Sequence, residues 1–250
     1  MSIDAAPQSL PVLAIVGTVA IFSIVQSIFG VGLLVFGTPT LLLLDLPFNL
    51  VLAYLLPCSI VISGLQLATS GGLTLEPIRR RFLIYTAPPV LAATILTLAI
   101  GSLHQIRFAV GVMLLFTAVT RIGPMRTILE RFVRAHGRPL LVGLGVIHGL
   151  SNLGGGILTA IVGSTFTDKT AIRRHVAFAY GMMASLQLAV VMLSAHPHVQ
   201  WQLWLVLPAL AAVTYLVLGQ RAFRSTPQGP YQFGLTGLIL SFGIILVGTG

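Results

Sequence analysis

Long stretches without any charged residue dominate the hydrophobic pattern of this chain. Asp, Glu, Lys and Arg are absent from residues 5–44, 82–106, 139–167, 175–220 and 225–250. Each stretch can cross about 30 Å of hydrocarbon as a helix that rises about 1.5 Å per residue. A transmembrane barrel would need short segments of alternating polarity, which this sequence lacks. The pattern therefore predicts an all-α integral membrane protein.

Two of these stretches carry a glycine-rich interruption where a continuous helix would otherwise form. The interruptions are residues 30–32 (Gly-Val-Gly) and 154–156 (Gly-Gly-Gly), 124 residues apart. In a bilayer, non-helical backbone persists only where protein or a wet cavity surrounds it, and paired interruptions in corresponding halves point to a transport site. The length of 139–167 suits two half-helices that meet near the midplane. We expect the returning half-helices to begin at Leu33 and Ile157.

The pattern also predicts two inverted repeats, each a glycine-broken hairpin, re-entrant or made of short helices, followed by three transmembrane helices. We expect these helices near 48–70, 82–101 and 108–124 in the first half, and near 176–195, 201–219 and 231–249 in the second. Three crossings per repeat turn the second copy upside down relative to the first. The organisation is an N-terminal transmembrane repeat (1–124), a basic cytoplasmic linker (125–138) and a C-terminal transmembrane repeat (139–250).

Charge supports this topology. Only 8% of residues are charged, and the net charge of +9 comes from short basic clusters between apolar segments, which is the pattern that orients membrane proteins. If each broken stretch enters and leaves at one face, all 14 Lys and Arg except Arg107 share a side. That side is cytoplasmic by the positive-inside rule, so both termini are predicted to be periplasmic. Two short full spans in place of each hairpin would give the same sidedness. Binding of nucleic acid is not expected.

The broken segments also carry a family resemblance. The stretches Phe29-Gly-Val-Gly-Leu-Leu and Asn152-Leu-Gly-Gly-Gly-Ile-Leu, the duplication and the basic central loop resemble the TauE/SafE family of sulfite exporters over nearly the whole chain. The resemblance implies a carrier in the bacterial inner membrane that moves sulfite or a related organosulfur anion such as a sulfonate, usually outward. An anion channel, or a carrier for a different small solute, is the alternative.

Helix geometry gives a separate reason to expect an anion. A half-helix that begins at the break presents unpaired N–H groups and the positive end of its dipole, and glycine lets a ligand approach the backbone. Small polar residues nearby either contact substrate or cap and join helices, and the second role is the commoner. The candidate substrate-binding residues are Gly30, Gly32, Ser27, Thr38, Gln66, Ser151, Asn152, Gly154, Gly155, Gly156 and Gln187.

Five polar side chains each have two possible roles. Gln66 and Gln187 occupy matched positions, and an interhelical hydrogen bond is about as plausible for them as a substrate contact. His148 could relay a proton, but a neutral, hydrogen-bonded histidine is the safer interpretation. Tyr54 and Tyr180 could supply hydroxyl groups, although packing is the expected role of both.

The remaining residue types narrow the mechanism. No carboxylate is expected at the membrane centre, so a carboxylate proton relay is not expected, and outward movement of an anion can be driven by the membrane potential. The uncharged interior offers no catalytic constellation, so an enzyme is not expected. The single Cys58 excludes an internal disulfide, and we expect no cofactor and no metal site. The expected partners are the small anion and the lipid bilayer, and homo-oligomer formation stays open.

Overall fold

The computed structural model describes residues 9–71, 77–100, 103–120, 128, 131–132, 136–195, 198–226 and 231–249, and this part of the chain contains helices and no strands. The first half comprises α1 (Ser9–Phe29), α2 (Leu33–Leu43), α3 (Phe48–Thr69), α4 (Pro77–Tyr85), α5 (Ala87–Ile100) and α6 (Leu103–Thr120). The second comprises α7 (Gly137–Ser151), α8 (Gly155–Gly163), α9 (Lys169–Val190), α10 (Trp201–Thr214), α11 (Gln220–Ser225) and α12 (Tyr231–Thr249). Single π-helical turns, Val191–Ala195 and Tyr215–Gly219, follow α9 and α10.

The long apolar helices confirm the prediction of an all-α membrane protein. Five stretches in the described part of the chain are long and apolar enough to span a bilayer: Val12–Phe29, Phe48–Thr69, Pro77–Ala99, Lys169–Ser194 and Trp201–Ser225. The apolar part of α6, Phe108–Val119, is shorter. The linker predicted over 125–138 lies outside the described residues except for 128, 131–132 and 136–138.

Both predicted interruptions are present, with one boundary that differs from expectation. The chain leaves the helical conformation through a left-handed residue at each break, Gly30 with φ 76° and Asn152 with φ 64°. Helix α2 begins at Leu33 as expected, but α8 begins at Gly155 rather than at Ile157. The first residues of the two returning helices, Leu33 and Gly155, are 122 residues apart. This spacing is two residues shorter than the 124 that separate the glycine interruptions in the sequence.

In each broken segment the returning helix folds back toward the helix before the break. In the first, the rings of Phe22 on α1 and Phe36 on α2 lie 5.6 Å apart, and α2 has only 11 residues, or about 16 Å. In the second, the start of α7 and the end of α8 line one pocket through Arg138 and Ile161. The 21 residues of α1 are long enough for a full crossing, whereas α2 is not.

Helices α3 and α9 form the most extensive contact in the bundle, and they run antiparallel. The Arg173 guanidinium donates to Ser70 Oγ at 2.9 Å, and Gly181 lies against Ser63 closely enough that an added Cβ would be 3.0 Å from the serine Cβ. Residues further along α9 therefore contact residues nearer the start of α3. Helices α3 and α9 are the predicted first spans of the two halves, and an antiparallel arrangement is the one that an inverted repeat would produce.

Helices α5 and α7 run parallel and meet through small residues. Thr86 Oγ1 donates to the Leu141 carbonyl at 3.1 Å, while a Cβ at Gly149, two turns further on, would lie 2.6 Å from the Cβ of Ala93. Close backbone approach through such residues is the usual way in which membrane helices associate. Helix α1 packs against α10 and α11.

Basic side chains near the helix ends gather on one face of the bundle. The Lys169 ammonium donates to the Phe223 carbonyl at 3.4 Å, and the Arg173 guanidinium lies 3.6 Å from the centre of the Phe223 ring. Arg81 and Arg138 line a single pocket where α4 and α7 begin. Helix α9 begins beside the end of α3, because the two helices are antiparallel, and α4 begins soon after α3 ends. The two groups of cations therefore lie at the same end of the bundle, which is the arrangement that the charge pattern favours.

Candidate functional site

The two broken segments contact each other inside the bundle. Asn152, at the second break, donates from Nδ2 to Thr38 Oγ1 on α2 at 2.8 Å, although the two residues are 114 positions apart. A Cβ added to Gly155 would lie 2.9 Å from Val35 Cγ2 and 3.0 Å from Val31 Cβ. The absence of a side chain at Gly155 therefore lets the start of α8 rest on the start of α2.

The N-terminal turn of α2 forms the first half of the site. Its first internal hydrogen bond runs from Phe36 N to the Gly32 carbonyl at 2.9 Å, so the preceding N–H groups have no acceptor within the helix. The N–H groups of Gly32, Leu34 and Val35 are directed at the hydroxyl oxygen of Tyr180 on α9. None of them closes a well-formed hydrogen bond with that oxygen, which is fully buried. Several donors thus converge on one small buried volume.

The second half of the site is the break before α8, which His148 covers. Gly154 N donates to His148 Nδ1 at 3.3 Å, so the proton of the neutral imidazole belongs on Nε2. The ring is fully buried, and Nε2 has no hydrogen bond of standard geometry among the described residues, although the Gln187 side chain approaches the ring. The ring also meets Tyr180 edge to face at 5.7 Å. His148 and Tyr180 therefore join the N-terminal turns of α2 and α8.

Gln66 and Gln187 make equivalent hydrogen bonds at the two breaks. Gln66 Nε2 donates to the Gln26 carbonyl at 2.7 Å, and Gln187 Nε2 donates to the His148 carbonyl at 3.1 Å. Each carbonyl also accepts from the left-handed residue four positions later, Gly30 at 2.8 Å and Asn152 at 2.7 Å. Both lone pairs of each carbonyl are thereby used. Of the two roles weighed for these glutamines, the structure contains the interhelical hydrogen bond.

The other predicted site residues are buried around the breaks. Ser27 Oγ donates to the Ser23 carbonyl at 2.6 Å, and Ser151 Oγ donates to the Ile147 carbonyl at 2.7 Å, so both hydroxyl groups bond back to their own helix. A Cβ at Gly30 would lie 2.9 Å from Val176 Cγ1, and one at Gly156 would overlap the side chain of Thr117. These glycines allow neighbouring helices to approach the breaks.

The structure adds Gln26 to the residues that the sequence indicated. Its Nε2 donates to Ser59 Oγ at 3.1 Å and to Ser63 Oγ at 3.4 Å, which ties α1 to α3 just before the first break. A signal was available in the sequence, because a strongly polar amide four residues before a glycine break stands out in an uncharged segment. Tyr180 was one of the two tyrosines that the sequence offered as a source of a hydroxyl group, but its approach to the start of α2 depends on the tertiary structure.

The chemical character of the site is that of a donor-rich, uncharged centre. Its donors are the N–H groups in the first turn of α2, which have no acceptor within the helix, together with the Tyr180 hydroxyl and His148 Nε2–H. No Asp or Glu lies among the described residues at the breaks. Two helix N-termini add positive dipole ends. Such an arrangement suits an oxyanion far better than a cation.

Comparison with known proteins gives one match. The family model described as Sulfite exporter TauE/SafE matches residues 13–246. No curated protein and no solved structure matches the chain.

Proposed function

The chain belongs to the TauE/SafE family of sulfite exporters, and from this premise we propose that it is a secondary carrier for sulfite or a related organosulfur anion such as a sulfonate. The family and the apolar helices make it a multi-pass membrane protein of a transporter family. The exact substrate and the mechanism of alternating access are the parts that we propose.

The observation that carries the proposal is the convergence of N–H groups at the start of α2 on the Tyr180 hydroxyl. These groups suit an acceptor with negative charge, and sulfite and sulfonate oxygens are such acceptors. In the present arrangement the hydroxyl oxygen of Tyr180 occupies the place of an anion oxygen. We propose that the substrate inserts between the first turn of α2 and Tyr180, with the hydroxyl then donating to it.

The second break supplies the opposing wall of the proposed site. His148 Nε2–H is a further donor, and its ring contacts Tyr180. Gly32 and Gly154–Gly156 let neighbouring side chains pack directly against the backbone of the two breaks. The side chains of Gln66 and Gln187 hold the ends of α1 and α7 by donating to the carbonyls of Gln26 and His148. Ser27, Gly30, Thr38, Ser151 and Asn152 complete the surroundings, chiefly by fixing the two breaks against each other.

Transport then follows from the relation between the two halves. We propose an N-terminal repeat (1–124) and an inverted C-terminal repeat (139–250), joined by the basic linker (125–138), that rock about the antiparallel α3–α9 contact. The basic face is placed at the cytoplasm of a bacterial inner membrane, with both termini periplasmic. A membrane potential that is negative inside favours outward movement of an anion, so export is the proposed direction.

The test is flux through the purified protein in sealed vesicles. Sulfite, methanesulfonate, sulfate and the neutral solute glycerol are compared at equal concentration, with vesicles that lack protein as the control. Saturable sulfite flux that is stimulated by sulfite on the far side supports the carrier. Flux that rises linearly with concentration and shows no such stimulation supports the anion channel instead. Preference for glycerol would contradict an anion site.

A further inference from the structure

A second concave site lies away from the helix breaks, on the basic face. It is a pocket of about 390 Å³ formed where α4 and α7 begin and where α8 has just ended. The lining residues include Arg81, Phe82, Arg138, Leu141, Ile161 and Thr165. None of the residues assigned to transport lines this pocket. Its basic residues were linked only to the orientation of the chain in the membrane.

The charge of the pocket is positive on two independent grounds. Arg81 and Arg138 come from different helices and both line it, while none of the lining residues is acidic. The pocket also contains the first residues of α7, a helix of 15 residues whose initial N–H groups have no intrahelical acceptor. Guanidinium groups and a helix N-terminus both favour an oxyanion.

The pocket walls are firmly positioned. Thr86 Oγ1 donates to the Leu141 carbonyl at 3.1 Å, which fixes α7 against the start of α5. The Arg138 guanidinium lies 5.7 Å from the centre of the Tyr85 ring, and Phe82 is fully buried beneath the pocket. The two cations are therefore presented by packed helices rather than by a free loop.

The lining also has an apolar side. Phe82, Leu141 and Ile161 are buried side chains that reach the pocket between the cations and the bundle interior. A ligand with an oxyanion head and an adjoining apolar part would match both surfaces. Pockets of basic residues between membrane helices on the cytoplasmic side are known to bind anionic lipid headgroups, and a small free oxyanion has the same head chemistry.

We propose that this pocket is a binding site for an oxyanion group, phosphate or sulfo in type, held by Arg81, Arg138 and the N-terminus of α7. The group is supplied either by an anionic lipid headgroup or by a free ion. The site is distinct from the substrate site at the breaks, and the proposal does not depend on the identity of the transported anion. Because Ile161 and Thr165 lie at the returning end of the second hairpin, occupancy would brace that end against α4.

The experiment measures binding rather than transport, so its failure is separable from failure of the carrier proposal. Full-length protein is placed in nanodiscs of zwitterionic phosphatidylcholine and titrated with sulfate or inorganic phosphate, with thermal stabilisation as the readout. In a second arm, the retention of phosphatidylglycerol is measured by native mass spectrometry. The variant is Arg81→Gln with Arg138→Gln, and the matched control is Arg80→Gln, an exposed arginine of the same helix that does not line the pocket.

We expect the double variant to lose at least about tenfold in affinity in one arm, and Arg80→Gln to bind normally, since charge-assisted contacts are lost only in the first. Loss in the sulfate and phosphate arm identifies a free ion, and loss in the phosphatidylglycerol arm identifies a lipid headgroup. Any of three results would overturn the proposal: equal loss of affinity in both variants, undiminished binding by the double variant, or no binding by the native protein in either arm. If the double glutamine variant does not fold, the double lysine variant, Arg81→Lys with Arg138→Lys, takes its place and should retain only part of the affinity. The proposal would also be overturned if the double lysine variant kept the full affinity and Arg138→Gln alone bound normally.

Discussion

The imidazole of His148 and the phenol ring of Tyr180 meet edge to face, with their centres 5.7 Å apart, where the two broken segments converge. Both side chains are fully buried. Neither the Tyr180 hydroxyl nor His148 Nε2 has a well-formed hydrogen bond among the described residues. This pair places two donors without a standard hydrogen bond between the N-termini of α2 and α8, so it is the first place to test the proposed substrate site.

Replacement of Tyr180 by Phe should slow sulfite transport by about 10- to 100-fold, because a hydrogen bond to a charged group contributes about 1.5–3 kcal/mol. The apolar contact with His148 remains, so we expect the protein to fold. Initial flux into proteoliposomes measures the effect. The matched control is Tyr54→Phe, since Tyr54 accepts from Gln200 N at 3.0 Å away from the breaks and should affect only stability. Full activity of Tyr180→Phe would exclude a substrate contact through the hydroxyl.

Two substitutions of His148 should separate its structural and functional nitrogen atoms. Asn places its Oδ1 near the position of Nδ1 and can still accept from Gly154 N, which donates at 3.3 Å in the native protein. Gln extends a donor toward the position of Nε2. We therefore expect His148→Asn to fold but to transport poorly, and His148→Gln to be the more active of the two. Thermal unfolding and flux are measured together, and the reverse order of activities would contradict a role for Nε2–H.

Gly155→Ala should impair transport by forcing the two breaks apart. The added methyl group would lie within about 3 Å of Val31 and Val35, and overpacking of this kind costs about 1–3 kcal/mol. Gly163→Ala is the control, because it lies in the same helix with open space at its Cβ position. The amount of protein in the membrane fraction should be normal for both, while flux should fall for the first alone. Equal flux in the two variants would move the substrate site away from this contact.

The two glutamines should behave as structural residues. Gln66→Met and Gln187→Met each remove one donor from a carbonyl that keeps a second hydrogen bond, so we expect a loss of about 0.5–2 kcal/mol in stability. Sulfite affinity should change little. Unfolding is followed in detergent, and the concentration of half-maximal flux is determined in vesicles. A large rise in that concentration without loss of stability would assign these side chains to the substrate instead.

Export should respond to the membrane potential if the substrate crosses as a single negative charge without a coupled ion. A potential of 100 mV corresponds to about 2.3 kcal/mol per elementary charge, or roughly a 50-fold gradient at equilibrium. Flux is compared at zero potential and at a potential set by potassium and valinomycin. Identical rates and identical final gradients in both conditions would indicate electroneutral coupling.

Helix boundaries at the breaks show how far local sequence can predict this fold. The start of α2 at Leu33 was predicted correctly, whereas α8 begins at Gly155 rather than Ile157. Glycine is a poor helix former, so the sequence places Gly155 and Gly156 in the break. They are helical because α8 must approach α2 and α6 closely, with Gly155 against Val31 and Val35 and Gly156 against Thr117. Tertiary packing here overrides propensity.

The sequence by itself determined that the chain crosses a membrane as helices, where these helices are interrupted and which residues form the basic face. The reason is that lipid requires the backbone groups of each segment to be satisfied within that segment and requires charged side chains to stay outside the hydrocarbon. Only the tertiary structure decided that Gln66 and Gln187 bind the carbonyls of Gln26 and His148, and that Tyr180 faces the start of α2. Those contacts join helices far apart in the chain, and their choice depends on how the helices rotate and approach one another, which the pattern of apolar and polar residues does not specify.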